Sequence, residues 1–116
     1  MSQLPRVTID ELIAKYELHP RLMDLYVEGE FDRDFLSFFL KIRDLHRNFS
    51  VITVKDVEVP NSLLKELSLP LGSNKHRLIG LARMLSERLK NMDTNVTCLV
   101  DADCDRILNS IAQISN

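Results

Sequence analysis

Three short runs rich in β-branched and aliphatic residues, LMDLYV (22–27), SVITVKDVEV (50–59) and VTCLV (96–100), are separated by stretches of more than twenty residues. This alternation constrains the chain more than any other feature. Hairpin partners need only a two-residue link, whereas parallel strands need a crossover of about a dozen residues, usually helical. The intervening stretches have that character. Thr8 and Glu11 form a T-x-x-E capping box opening a helix through about Glu17, which His19-Pro20 ends. Asp32 is placed to cap a second helix. In it Phe35, Phe38, Phe39, Ile42 and Leu45 recur at helical spacing, so this is the face expected to meet the core. A short helix, NSLLKEL, follows Pro60, and GSNKHR leads into a helix carrying Leu78, Leu81, Ala82, Leu85 and Leu89. Ile107, Leu108, Ile111 and Ile114 mark a last helix. VTCLV is apolar almost throughout, as a strand covered on both faces should be, while SVITVKDVEV alternates in part. The expectation is an α/β fold: a mainly parallel sheet of about three strands, near 22–27, 51–57 and 96–100, with helices on its faces. Residues 1–21 read as an N-terminal helical segment and 22–116 as the α/β domain. Three strands make a narrow sheet, and the chain stops at AQISN, where another strand would follow. It therefore reads as a truncated piece of a longer protein.

A chain of 116 residues is long enough for one core. Fifteen basic and 17 acidic residues leave a net charge of −2, so no global basic field exists to hold nucleic acid. Such binding would need local patches. Two cysteines, Cys98 and Cys104, are too few for a disulfide scaffold and suit reduced thiols in a cytoplasmic protein. The start, MSQLPRVTIDEL, lacks the apolar core of a signal peptide, and no apolar run approaches membrane-spanning length.

The chemistry concentrates where strands end. VTCLV runs straight into DADCD, three carboxylates spaced two apart at Asp101, Asp103 and Asp105. The first strand runs into Glu28-Gly29. In an open parallel sheet the carboxyl ends of the strands gather ligands. If the first and third strands are neighbours, Glu28, Asp101 and Asp103 share one edge, and Gly29 would allow a sharp turn and a close approach. Clustered carboxylates repel unless a cation offsets them, and oxygen ligands suit Mg²⁺ or Mn²⁺. The bland alternative is that the aspartates charge the first turn of the last helix, worth roughly 0.3–1 kcal/mol each.

YVEGEFD followed much later by LVDADCD resembles the TOPRIM domain of topoisomerases, bacterial primases and OLD-type nucleases. The nearest likeness is to uncharacterised TOPRIM-like proteins related to the OLD-type nucleases, over roughly Leu22 to Ile114. The resemblance implies a TOPRIM-like, Rossmann-like sheet. It also implies a metal-dependent nucleic-acid phosphoryl-transfer site, nuclease-like, in which Glu28 is a metal ligand or general acid/base. Asp101 and Asp103 would be the metal-binding pair and Asp105 an optional third ligand. It further implies nucleic acid as partner and an ATPase domain or partner outside this segment. Arg106 stands where topoisomerases have Gly, and no tyrosine is placed as a topoisomerase nucleophile. Topoisomerase activity is not implied.

Other residues carry weaker signals. Lys75 or Arg77 in GSNKHR, and Arg33 just after Glu-Gly, are candidate phosphate contacts. Their bland readings are a loop with Ser73 or Asn74 as helix cap, and a solvated arginine. His19, His46 and His76 show no metal-ligand spacing and read as surface residues. A non-catalytic regulatory or partner-binding domain that keeps the fold is the alternative function. A DxD phosphatase or a receiver domain is disfavoured by chain order, because each wants its acidic motif after the first strand.

Overall fold

The structure, a computed structural model, describes residues 6–100. In chain order the elements are β1 (Val7–Thr8), α1 (Ile9–Leu18), β2 (Met23–Val27), α2 (Glu30–Ile42), β3 (Phe49–Thr53), a 3₁₀ turn (Val54–Asp56), β4 (Val57–Glu58), α3 (Asn61–Glu66), α4 (Asn74–Arg88) and β5 (Thr97–Cys98). The fold is α/β with parallel strands throughout. β2 is the centre of a three-stranded sheet in the order β3-β2-β5, and β1 pairs with β4 in a separate two-stranded ladder.

Local chemistry explains the element ends. The capping box of α1 forms: the Glu11 N–H donates to Thr8 Oγ1 at 3.1 Å, and the Thr8 N–H donates to Glu11 Oε1 at 3.4 Å. α2 and α3 both close in the manner of Schellman motifs, with Asp44 and Ser68 at positive φ of 57° in each case. The N–H of Leu45 reaches back to the carbonyl of Leu40 at 2.7 Å, and that of Leu69 to Leu64 at 2.8 Å. Neither closing residue is glycine; each is an exposed small polar residue.

Alternation along β2 divides the core into two layers. Leu25 and Val27 point to one side and pack with Leu36 and Leu40 of α2. Tyr26 points to the other, into a larger cluster of Ile9, Leu12, Ile13 and Tyr16 from α1, Leu64 from α3, and Leu78, Leu81, Leu85 and Leu89 from α4. Helices thus cover both faces, and α1 belongs to the main core.

Three sequence expectations need correction. The run 50–59 is not one strand. Val54–Asp56 form a 3₁₀ turn, with Thr53 Oγ1 bonded to Asp56 Oδ2 at 3.2 Å, and the residues beyond pair with β1 instead of β2. Asp32 does not cap α2; Gly29 occupies that position, and Asp32 lies in the first turn. The face of α2 is also different. Leu36 and Leu40 are 2% and 1% exposed, whereas Phe35, Phe38 and Ile42 face outward. The helix named at 107–114 lies outside the described residues.

Candidate functional site

The chain lays down β2, adds β3 on one side through α2, and returns through α3 and α4 to add β5 on the other. Strand order therefore reverses beside β2, the arrangement in which open α/β sheets bind ligands at the carboxyl edge. Leu25 pairs with Thr97 and Tyr26 with Cys98, and the Leu99 N–H continues the ladder to the Tyr26 carbonyl at 2.9 Å. Carried forward in this register, Glu28 stands level with Val100, the last described residue. Asp101, Asp103 and Asp105, the remaining residues expected at this edge, lie outside the described residues, as does Cys104.

Glu28 is half-buried, in the two-residue bend between β2 and α2. Gly29 beside it is extended, with φ −149° and ψ 177°, a conformation open to any residue, so no sharp turn requires glycine there. A Cβ built on it would meet nothing within 4 Å, so the space in front of the bend is open. The N-terminus of α2 begins at once, with no side-chain cap, and its free N–H groups face the same edge. Across from it Lys55, in the turn after β3, sits 3.9 Å from Glu30. Lys55 is a cation that sequence reasoning passed over. Its signal was its place directly after a strand. Among the described residues no three His, Cys, Asp or Glu side chains converge as metal ligands. The metal expectation thus rests on Glu28 together with the three aspartates beyond Val100.

The basic candidates fall in two places. Arg33, in the first turn of α2, holds Asp34 through Nε at 3.2 Å, so part of its charge is already balanced. Lys75 and Arg77 belong to the first turn of α4 and are half-buried, not loop residues. Ser73 occupies the cap position of that helix but makes no side-chain cap bond. Arg77 Nε and His76 Nδ1 are buried without a hydrogen-bond partner among the described residues. His76 is accordingly half-buried, correcting the surface role read from sequence, whereas His19 and His46 are exposed.

A second polar cluster lies inside the core, near the amino end of β2. Asp24, 2% exposed, accepts a hydrogen bond from the Tyr16 hydroxyl at 2.6 Å and holds Lys15 Nζ at 2.9 Å. The Tyr16 and Tyr26 hydroxyls bond to each other. Burial, and then the hydrogen bond to the Asp24 carboxylate, push the Tyr16 phenol far above its ordinary range; burial does the same to Tyr26. Cys98, level with Tyr26 in the ladder, is pushed up by burial to about 12. The two phenols are buried and, with Asp24, anchor α1 to the sheet, while Cys98 is half-buried. The sequence signal was a lone aspartate inside an apolar strand.

No helix among the described residues is long and apolar enough to cross a membrane. No protein-family model, no curated protein and no solved structure matches the chain.

Proposed function

We propose that this chain is a TOPRIM-like domain acting in metal-dependent nucleic-acid phosphoryl transfer, as a nuclease does. The observation that supports the reading is the pairing of β2 with β5. The Glu-Gly and Asp-x-Asp-x-Asp motifs directly follow two hydrogen-bonded parallel neighbours, at the edge where such sheets bind ligands. Glu28, Asp101 and Asp103, with Asp105, would hold Mg²⁺ or Mn²⁺. Bound there, the ion polarises a phosphodiester and stabilises its developing charge. Glu28, half-buried in a bend with open space before it, serves to move a proton to or from the reacting oxygen. Lys75 and Arg77 in the first turn of α4, and the part of Arg33 that Asp34 leaves unbalanced, supply the phosphate contacts. ATPase chemistry would come from outside this segment.

Titration calorimetry with Mn²⁺ tests the site itself. The wild-type chain should bind weakly, and Asp101→Asn/Asp103→Asn should bind at least ~10-fold more weakly, or not at all, since few protein ligands remain. Equal binding by both, or none by the wild type, counts against the site. In the complete protein, Mn²⁺-dependent cleavage of plasmid and single-stranded substrates should fall ~100-fold on Glu28→Gln, the scale of a lost general acid/base. Unchanged cleavage would leave the edge a binding surface.

A further inference from the structure

α2 is apolar on two opposite sides. Leu36 and Leu40 are buried, while Phe31, Phe35, Phe38 and Ile42 are 78%, 36%, 65% and 65% exposed. At about 100° per residue these four fall within an arc of roughly 60°, turned away from the sheet. The Phe31 and Phe35 rings stack with centroids 6.5 Å apart. The stripe repeats every seven residues, Phe31 to Phe38 and Phe35 to Ile42, the spacing that suits a seam packed against another helix, not a sheet.

We propose that the occupant is α2 of a second copy of this chain, packed antiparallel about a two-fold axis. The flanking charges decide both partner and direction. Asp34 and Lys41 lie seven residues apart on the same flank of the stripe. In an antiparallel pair Phe35 meets the partner's Phe38, and Phe31 meets the partner's Ile42. Asp34 then lies opposite the partner's Lys41, and Lys41 opposite the partner's Asp34. A parallel pair would set Asp34 beside the partner's Phe39 and bring neither charge to an opposite charge on the partner. One self-complementary patch serves both copies, so the assembly closes as a dimer. With roughly 200 Å² for a fully exposed aromatic side chain, the stripe offers about 450 Å² per copy. That matches the largest apolar patch of a typical monomer, which often serves a function. A pair would bury about 900 Å², less than the ~1,200–2,000 Å² of stable complexes. The dimer is therefore reversible and forms at micromolar to near-millimolar concentration.

Sedimentation of the 116-residue chain across that range tests this. The mass should rise from monomer to dimer. Phe38→Glu, at a position mostly exposed to solvent, should weaken association at least ~10-fold. Asp34→Lys should weaken it by a similar factor, and Asp34→Lys/Lys41→Asp should restore it, because the swapped pair is again complementary. A chain monomeric throughout overturns the proposal, as does a dimer indifferent to Phe38→Glu. A dimer weakened by Asp34→Lys and not rescued by the swap overturns the antiparallel pairing. A monomer whose thermal stability drops with Phe38→Glu would assign the stripe to residues 101–116 of the same chain, and also overturns it.

Discussion

Raising the pH puts the polar cluster around Asp24 to a direct test. Tyr16 and Tyr26 are the only tyrosines in a chain without tryptophan, and both are fully buried. Burial raises both phenols above the value near 10.0 that each has when unfolded. A group whose folded pKa is raised stabilises the fold fully below its unfolded pKa and loses that contribution as pH climbs beyond it. Above pH 10 the unfolded chain sheds two protons that the folded chain keeps, so stability falls by ~1.4 kcal/mol per pH unit for each tyrosine, about 2.7 for both. Cys98 adds a loss of the same sign from pH 9, where an ordinary thiol ionises, up to about 12. A domain stabilised by about 5–15 kcal/mol must unfold within a few pH units of this onset. Phenolate absorbance and far-ultraviolet circular dichroism, followed on one sample, read out the event. No phenolate should appear until helicity is lost, and then both rings should ionise together. In urea titrations at stepped pH, Tyr16→Phe should lower the slope of stability against pH by ~1.4 kcal/mol per unit. Smooth ionisation centred near pH 10 in a chain that keeps its helicity would mean solvent reaches the rings, and the reasoning would fail.

Two further outcomes follow from burial. Leu40→Ala should cost ~2–5 kcal/mol by opening a cavity, whereas Phe38→Ala should shift the dilute monomer's stability by less than ~0.5 kcal/mol; chemical denaturation compares them, and equal costs would contradict the two faces of α2. In a Cys104→Ser background, a thiol pKa near 12 in place of 9.0 should slow alkylation of Cys98 at neutral pH by roughly 1,000-fold against the denatured chain. A rate within tenfold of the denatured one would place the thiol in solvent.

What the sequence disclosed follows the range of the interaction. The capping box of α1 was legible because Thr8 and Glu11 lie within one turn of each other. The parallel sheet was legible because crossover length and apolar runs are local properties. The break after Thr53 was hidden, since β-branched residues continue to Val59 and only the Thr53–Asp56 bond marks the turn. The orientation of α2 was hidden for another reason: with apolar residues on two sides, periodicity finds a helix but cannot choose the buried face. Leu36 and Leu40 fill the layer beneath the sheet with Phe39 packed against them, while Phe31, Phe35 and Phe38 stay out. The partners of Asp24, Tyr16 and Lys15, both come from α1, a convergence no spacing rule encodes. The adjacency of β2 and β5, on which the proposed site depends, is of the same non-local kind.

That adjacency also fixes an order of assembly. Met23 faces Phe49 across 26 residues, and β2 and β3 share a five-residue ladder built around one helix. Leu25 faces Thr97 across 72 residues, and among the described residues β5 contributes two to its ladder. Closing the longer loop costs about 0.9 kcal/mol more in chain entropy, with fewer hydrogen bonds in return. The β2–α2–β3 unit therefore zips first and β5 docks last. Glu28 is in position early, while β5, the strand that precedes Asp101 in sequence, arrives with the final step and is the first to open. A nascent or partly unfolded chain thus has Glu28 in place at the end of β2 without β5 beside it.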